Sequence, residues 1–410
     1  MTKSLYICYF GLREPLVQTQ VIPYLKEILK GGIEMSLLTF EPEFKRTWSS
    51  EQIEVERKKL AEQGITWHAT GYHKWPSVPA TFFDVVNGTR IVRKLSKREN
   101  YDILHARVQL PALMATLARK LSRNKPKILF DIRGFFPEEY TDAGIWPENG
   151  WLYRAAKRIE RWLLKEADGF VVLTERAREI LFPESKENGF DKHRRPVEVI
   201  PCCIDAARFA PDRSRELARE KLGAANKFVV VYVGSLGGWY LTDEMLDLFS
   251  AAKELRADTF VLVLTQRSVE QVADLMRRRG FDDTEFAVKT VAPSQLALEI
   301  VAGDVAVSFI KKCYSKQSSS PTKIGEYLAA GLPIIANSGV GDVDKLIDEN
   351  SVGVLIDEFA SETYIDALKT VFEMGDISTR CRETAHRIFD LETVGGVRYR
   401  KLYRRILGID

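Results

Sequence analysis

At 410 residues, with 45% hydrophobic and 29% charged side chains, the chain exceeds one hydrophobic core, so two globular domains are expected. No window nears the ~18 unbroken apolar residues of a membrane span, and five cysteines without zinc-type spacing exclude a disulfide scaffold or structural metal. The net charge of +3 hides an asymmetry: residues 1–200 hold 33 Lys+Arg against 26 Asp+Glu, and residues 201–410 hold 27 against 31.

The start, Met1-Thr2-Lys3-Ser4, offers no cleavable signal, and the few, odd-numbered cysteines fit a reducing cytoplasm. Ser4 to Phe10 reads as a buried strand ending at Gly11, followed by a helix over about residues 19–30 that stops at Gly31-Gly32, then a strand from Glu34 to Phe40. This is a βαβ unit without the G-x-G-x-x-G fingerprint, which weakens a dehydrogenase reading. Residues 41–62 read as a polar loop and exposed helix, 65–70 as a short strand and 81–97 as an amphipathic helix. The basic runs Arg90–Arg98 and Arg119–Lys127 suit either solvated helix ends or contact with an anionic membrane surface. A nucleic-acid role is not expected, because no basic platform with interleaved aromatics occurs.

Tyr101 to Ala106 is a strand with His105 near its end and Arg107 just beyond. Ligands of open α/β sheets gather outside the carboxyl ends of strands, which makes both residues candidates, although a histidine there also suits a hydrogen-bonded core. The strand 127–132 runs into Asp131, Arg133, Gly134 and Glu138 at another carboxyl end. So many charges beside a sheet must be wet or partnered, so they are read as site residues or as an Asp131–Arg133 or Arg133–Glu138 brace. Helix 151–167, strand 169–174, a polar connector over 184–195 and a strand 197–200 complete the first half.

A second α/β pattern starts with the strand 227–233 and the turn Gly234-Ser235-Leu236-Gly237-Gly238, where glycines allow close backbone approach to a phosphate. Strands at 260–264, 286–288, 305–310, 334–336 and 352–356 follow, and 384–407 is helical with a break expected at Gly395-Gly396. The most informative stretch is residues 313–333. Ser320 suits a helix N-cap, Pro321 the first helical position, and Gly331 with Pro333 the stop. Yet Lys323 stands where an acidic partner is favoured, and Lys311, Lys312 and Lys316 precede it, with no acid from Val305 to Gly325. Cations crowding the positive end of a helix predict a phosphate held by Lys316, Ser320, Thr322 and Lys323, with Glu326 one turn deeper to accept from ribose hydroxyls.

The run Ser320-Pro-Thr-Lys-Ile-Gly-Glu-Tyr-Leu-Ala-Ala-Gly-Leu-Pro-Ile334 resembles the nucleotide-sugar segment of retaining family 4 glycosyltransferases of the GT-B fold, and the crossover 197–205 supports the likeness. In that family two glutamates bracket the turn; the second matches Glu326, but the first falls on Ser318. Relatives also carry His-x-His where this chain has His105 and Arg107, and Arg or Lys around the glycine turn where it has Ser235, Trp239 and Tyr240. Asp131 to Phe135 resembles an Asp-x-Arg-Gly-Phe segment of one subgroup.

The resemblance implies two doubly wound, Rossmann-like domains facing across a cleft, 1–205 with a returning helix 386–410 and 206–385. It implies metal-independent transfer of a hexose from a UDP- or GDP-linked sugar, with retention, to a sugar, lipid-linked or small-molecule hydroxyl. The expected setting is polysaccharide, glycolipid or secondary-metabolite synthesis in the cytoplasm or at the inner membrane face. No cofactor is expected beyond the donor. Gly234, Ser235, Leu236 and Gly237 join the donor residues, the loop 291–293 would hold the base, and Gly11, Glu14, Gln18 and Gln20 would face the acceptor. His105, Arg107, Asp131, Arg133 and Glu138 are the catalytic candidates. A nucleotide-sugar sensor without turnover and a GT-B-like epimerase are the alternatives.

Overall fold

Strands rich in Val, Ile and Leu that pair in parallel must be covered on both faces, and both sheets of this chain follow that rule. The computed structural model describes residues 2–209, 214–266 and 268–409. The chain divides into one unit of Met1–Pro201 with Val394–Asp410 and a second of Cys202–Thr393.

The first unit holds β1 (Thr2–Cys8), β2 (Ile33–Pro42), β3 (Ile65–Tyr72), β4 (Ile103–Arg107), β5 (Lys127–Ile132), β6 (Gly169–Val172) and β7 (Val197–Val199). They form one parallel sheet in the order β3-β2-β1-β4-β5-β6-β7. The second holds β8 (Phe228–Val233), β9 (Thr259–Leu264), β10 (Phe286–Lys289), β11 (Val305–Ser308), β12 (Ile334–Asn337) and β13 (Gly353–Ile356) in the order β10-β9-β8-β11-β12-β13. Strand order reverses between β1 and β4 and between β8 and β11, and such switch points open ligand crevices at the carboxyl ends.

Side chains alternate across a strand, and the packing shows it. On β8, Val229 and Val231 enter one core with Leu262 and Ile334, while Val230 and Tyr232 enter the opposite core with Val261 and Ile335. In the first unit Leu5, Ile7, Leu104, Ala106, Ile128 and Phe130 share one apolar face. The alternate positions place Tyr6, His105 and Asp131 on the other, with Tyr6 paired to His105 and Arg107 to Asp131 in register.

Several boundaries differ from the sequence expectation. The first helix is split at Val21 into Pro15–Gln20 and Ile22–Leu29. The helix after β3 starts earlier, at Ser77, and runs to Glu99. Arg107 is the last residue of β4 rather than beyond it. Helix Ser378–Phe389 ends at Asp390, in extended backbone (φ −66°, ψ 131°). The expected break at Gly395-Gly396 is instead a π-helical turn, Leu391–Gly396, that runs straight into helix Val397–Leu407. Gly396 is required there, because an added Cβ would lie 2.8 Å from Glu27 and Arg400.

Candidate nucleotide site and the buried tyrosine network

Two loops leave the switch point of the second unit, one after β8 and one after β11. Gly234 follows β8 at φ +133°, and a Cβ there would stand 2.9 Å from Lys323 Nζ, so only glycine fits. Gly237 and Gly238 also have positive φ, and the turn closes when Gly237 N–H donates to Thr242 Oγ1 at 2.7 Å. Residues 239–241 then run beside the end of β11: Lys311 N–H donates to Trp239 O and Leu241 N–H to Phe309 O. Asn337 pins the second loop by accepting from Ile310 N–H at 2.8 Å and donating to its carbonyl at 2.9 Å.

This brings the two sequence-distant loops into contact through their lysines. Lys316 Nζ lies 4.0 Å from the centre of the Trp239 ring. Lys323 Nζ lies 4.2 Å from that of Tyr240 and 4.3 Å from that of Tyr232, and donates to Tyr232 Oη at 3.3 Å. Both lysines are buried, 7% and 6% exposed, and among the described residues Lys323 has no ion pair. An ammonium has three N–H donors, and a hydroxyl with two ring faces replaces little of the lost water. Burial therefore lowers the Lys323 pKa to about 7, against the opposing pull of Glu326. Glu326 moves the other way, raised to about 7 by burial, against Arg208 and Lys323. Lys311 and Lys312 stand apart from this centre: both are exposed, and Lys312 Nζ donates to Ser338 Oγ.

Helix Thr322–Ala329 follows the second loop, with Pro321 at the N-cap. The expected Ser320 cap is not formed; its hydroxyl accepts from Cys202 N–H at 3.1 Å and ties the helix entry to the crossover. The helix stop is as expected. Gly331 has φ +83°, its N–H donates to Leu328 O, and Leu332 N–H donates to Tyr327 O, which closes a Schellman motif. Thr322 begins the helix beside Lys323, and Tyr327 Oη accepts from Val233 N–H at 2.7 Å, joining the helix to β8. Ser235 and Leu236 lie in the glycine turn, where Ser235 O accepts from Tyr232 Oη. Arg208, which no local pattern marks, reaches the carbonyl of Pro293 and so links the loop 291–293 to the surroundings of Glu326.

In the first unit the candidates form two groups. Asp131 Oδ2 lies 3.5 Å from His105 Nε2 and 3.9 Å from Arg107 Nη1, and Oδ1 lies 3.6 Å from Arg133 Nη1. The returning helix completes this network: Tyr399 Oη donates to Asp131 Oδ2 at 3.1 Å, and Tyr403 Oη meets His105 Nδ1 at 2.9 Å. Spaced four apart, the tyrosines share one helix face. Burial opposes ionisation of Asp131, but Arg133, the His105 hydrogen bond and Arg107 hold its carboxyl well below the usual carboxylate range. Burial lowers His105, against Asp131. His105 and Asp131 are fully buried, so the hydrogen-bonded core reading of the histidine and the Asp131–Arg133 brace both describe what is seen.

Glu138 belongs elsewhere, its carboxylate held by Tyr153 Oη at 3.2 Å and Lys157 Nζ at 2.9 Å. Of the acceptor-side candidates, Glu14 N-caps helix Pro15–Gln20, Gln18 Nε2 donates to Leu12 O, and Gln20 is buried. A Cβ at Gly11 would stand 2.9 Å from Glu41 Oε2, and buried Glu41 accepts from Leu12 N–H at 2.9 Å. Glu41 thus sets the path of this loop, a role that its place in a polar stretch concealed. Among the described residues no group of three His, Cys, Asp or Glu side chains is placed to hold a metal ion.

Comparison with known proteins agrees with this layout. A family model described as Glycosyltransferase Family 4 matches residues 26–208, and one described as Glycosyl transferases group 1 matches residues 214–387. The chain is 24% identical over 238 residues to the alpha-D-kanosaminyltransferase of Streptomyces kanamyceticus, a match spanning 56% of this chain and 58% of that protein. Its fold is similar to a glycosyltransferase of Rickettsia africae, with a TM-score of 0.71 at 15% identity over 100% of this chain and 99% of the other. It is also similar to Anabaena Alr3699/HepE in complex with UDP and glucose, with a TM-score of 0.67 at 15% identity over 98% and 100%. With both units matched, the chain belongs to the family 4 glycosyltransferases of the GT-B fold.

Proposed function

We propose that the chain transfers a hexose from a nucleoside diphosphate sugar to an acceptor hydroxyl, with retention of configuration. The observation that carries this reading is the buried Lys323 ammonium, held against Tyr232 and Tyr240 without an anion, at the start of a helix. A diphosphate supplies the missing charge, and Lys316 and the helix terminus add to it. When the sugar C1–O bond breaks, its electron pair moves onto the β-phosphate, and these groups stabilise that charge. The acceptor oxygen bonds to C1 on the same face, and its proton passes to the departing phosphate oxygen. On this route the lysines provide the countercharge and no metal takes part.

Glu326 accepts from the ribose hydroxyls and the loop 291–293 holds the base, which the Anabaena neighbour with UDP bound favours as uracil. Arg107, Arg133 and Glu138 serve the sugar and acceptor, with His105 and Asp131 positioning the arginines. The test is incubation of the full chain with a panel of UDP- and GDP-sugars. Slow release of the nucleoside diphosphate to water, abolished by Lys323→Ala, is expected. Binding without any release would favour a sensor, conversion of the donor sugar without release an epimerase, and absence of binding would overturn the reading.

A further inference from the structure

Just past the carboxyl end of β3 stands a histidine that belongs to neither group of candidates above, held by a carboxylate closed off from solvent. Asp84, on helix Ser77–Glu99, is fully buried. Its Oδ1 lies 2.6 Å from His73 Nδ1, and its Oδ2 accepts from His73 N–H at 2.8 Å and from Tyr9 Oη at 2.7 Å. Burial and the bond to Asp84 push the Tyr9 hydroxyl up, so it keeps its proton and remains a donor. One carboxylate thus ties together the residue after β1, the residue after β3 and a helix.

This arrangement fixes the imidazole. An ionised carboxylate only accepts, so Nδ1 carries the proton, and in the neutral ring Nε2 presents a lone pair. The His73 side chain is 50% exposed. Its outer edge passes over Gly71, where an added Cβ would lie 3.6 Å from Cε1 and 3.9 Å from Nε2, and glycine has no side chain to cover that nitrogen. The Phe83 ring meets the imidazole edge to face, with centroids 5.0 Å apart, and is itself 54% exposed. Trp75 and Phe82, in the same segment, are also exposed. Rings left this open to water add little to a core and are available to a ligand.

We propose that His73 Nε2 and the Phe83 ring bind a sugar ring of the acceptor, with Asp84 as the residue that positions the imidazole. A bare nitrogen accepts, so its ligand must bring a donor, which a phosphate or a carboxylate lacks. An apolar alcohol would use the phenyl ring and a single hydroxyl. A sugar carries hydroxyl donors around an apolar C–H face and matches both features at once. The nucleotide-site residues, from Arg208 to Glu326, all belong to the second unit. His73 belongs to the first, where Gly71 pairs in register with Glu41, the residue that sets the path of the loop from Gly11. The ligand is therefore assigned as acceptor rather than donor. In that respect the proposal rests on the transferase reading, and it narrows the acceptor from any hydroxyl compound to a carbohydrate.

The test is saturation-transfer NMR of the full chain, without donor, using the methyl glycosides of glucose, galactose, mannose and N-acetylglucosamine, with cyclohexanol as the apolar alcohol. At least one glycoside should bind in the millimolar range and more tightly than cyclohexanol. His73→Asn places an amide where Nδ1 was, so the bond to Asp84 survives while nothing stands at Nε2. Its affinity for the glycoside should fall about three- to tenfold, with thermal unfolding close to that of the parent. Phe83→Ala should lose about three- to tenfold as well, and it decides the case by itself if the asparagine variant is unstable. In protein carrying 15N-histidine, the His73 Nε2 resonance should shift as the glycoside is added, which a purely structural imidazole would not do. Binding of no glycoside, preference for cyclohexanol, or full affinity in either variant would overturn the proposal. Because no donor is present, these outcomes are separate from UDP binding at Lys323. Glycoside binding without UDP binding would overturn the transferase reading and leave the sugar site standing.

Discussion

Lys323 Nζ rests 4.2 Å above the centre of the Tyr240 ring, a contact between the loop after β8 and the helix after β11. The aromatic face holds the ammonium while leaving its remaining N–H donors for an anion. Tyr240→Leu removes the ring, and UDP affinity should fall about three- to tenfold, while Tyr240→Phe keeps the face and most of the affinity. Lys323→Met should cost UDP about ten- to a hundredfold and leave uridine binding unchanged. Calorimetry with both ligands checks this, and equal loss for the nucleoside would remove the phosphate role.

The same lysine predicts proton uptake on binding. With its pKa lowered to about 7, Lys323 is largely neutral at pH 8 in the free protein, and a diphosphate restores its charge. Calorimetry at pH 8 in buffers of different ionisation enthalpy should show net uptake of protons, lost in Lys323→Met.

Stability without ligand should pass through a shallow minimum near pH 7. Glu326 is raised to about 7, so its contribution is present at acid pH and is lost as pH rises through 7. Lys323 is lowered to about 7, so its contribution is present at high alkaline pH and is lost as pH falls towards 7. Urea unfolding across pH should show that Glu326→Gln abolishes the decline between acid and neutral pH. A decline unchanged by that substitution would assign it to another group.

Gly234→Ala tests the close approach of the glycine turn. The added Cβ meets Lys323 Nζ at 2.9 Å in a backbone of φ +133°. Weaker UDP binding with the fold retained is expected, and unchanged affinity would show that the lysine need not sit there.

Asp131→Asn should lower stability by about 3 kcal/mol, because it leaves the buried Arg107 and Arg133 without their shared counter-charge. Tyr399→Phe removes one hydrogen bond to Asp131 and should cost about 1 kcal/mol. Urea melts measure both. A loss of turnover from Asp131→Asn without loss of stability would instead place the carboxylate in the chemistry.

Much of the fold was legible locally. The apolar runs of β8, β9 and β11 mark buried parallel strands, and Gly331 with Pro333 marks the helix stop, since strand burial and backbone handedness depend on adjacent residues. The excess of lysine before residue 323 is likewise plain in the linear chain. The parking of Lys316 on Trp239 and of Lys323 on Tyr240 joins positions about eighty residues apart, and pairings of that range have no periodicity to reveal them. For the same reason His105 and Asp131 read as site residues: local order puts them near strand ends, and only the folded chain lays Tyr399 and Tyr403 over them. Ser320 was a good cap by residue type, but the amide of Cys202 came within reach first. Composition and local pattern thus decide which elements form and where charge accumulates, while the packing of distant segments decides which charges are buried, what holds them and how strongly each keeps its proton.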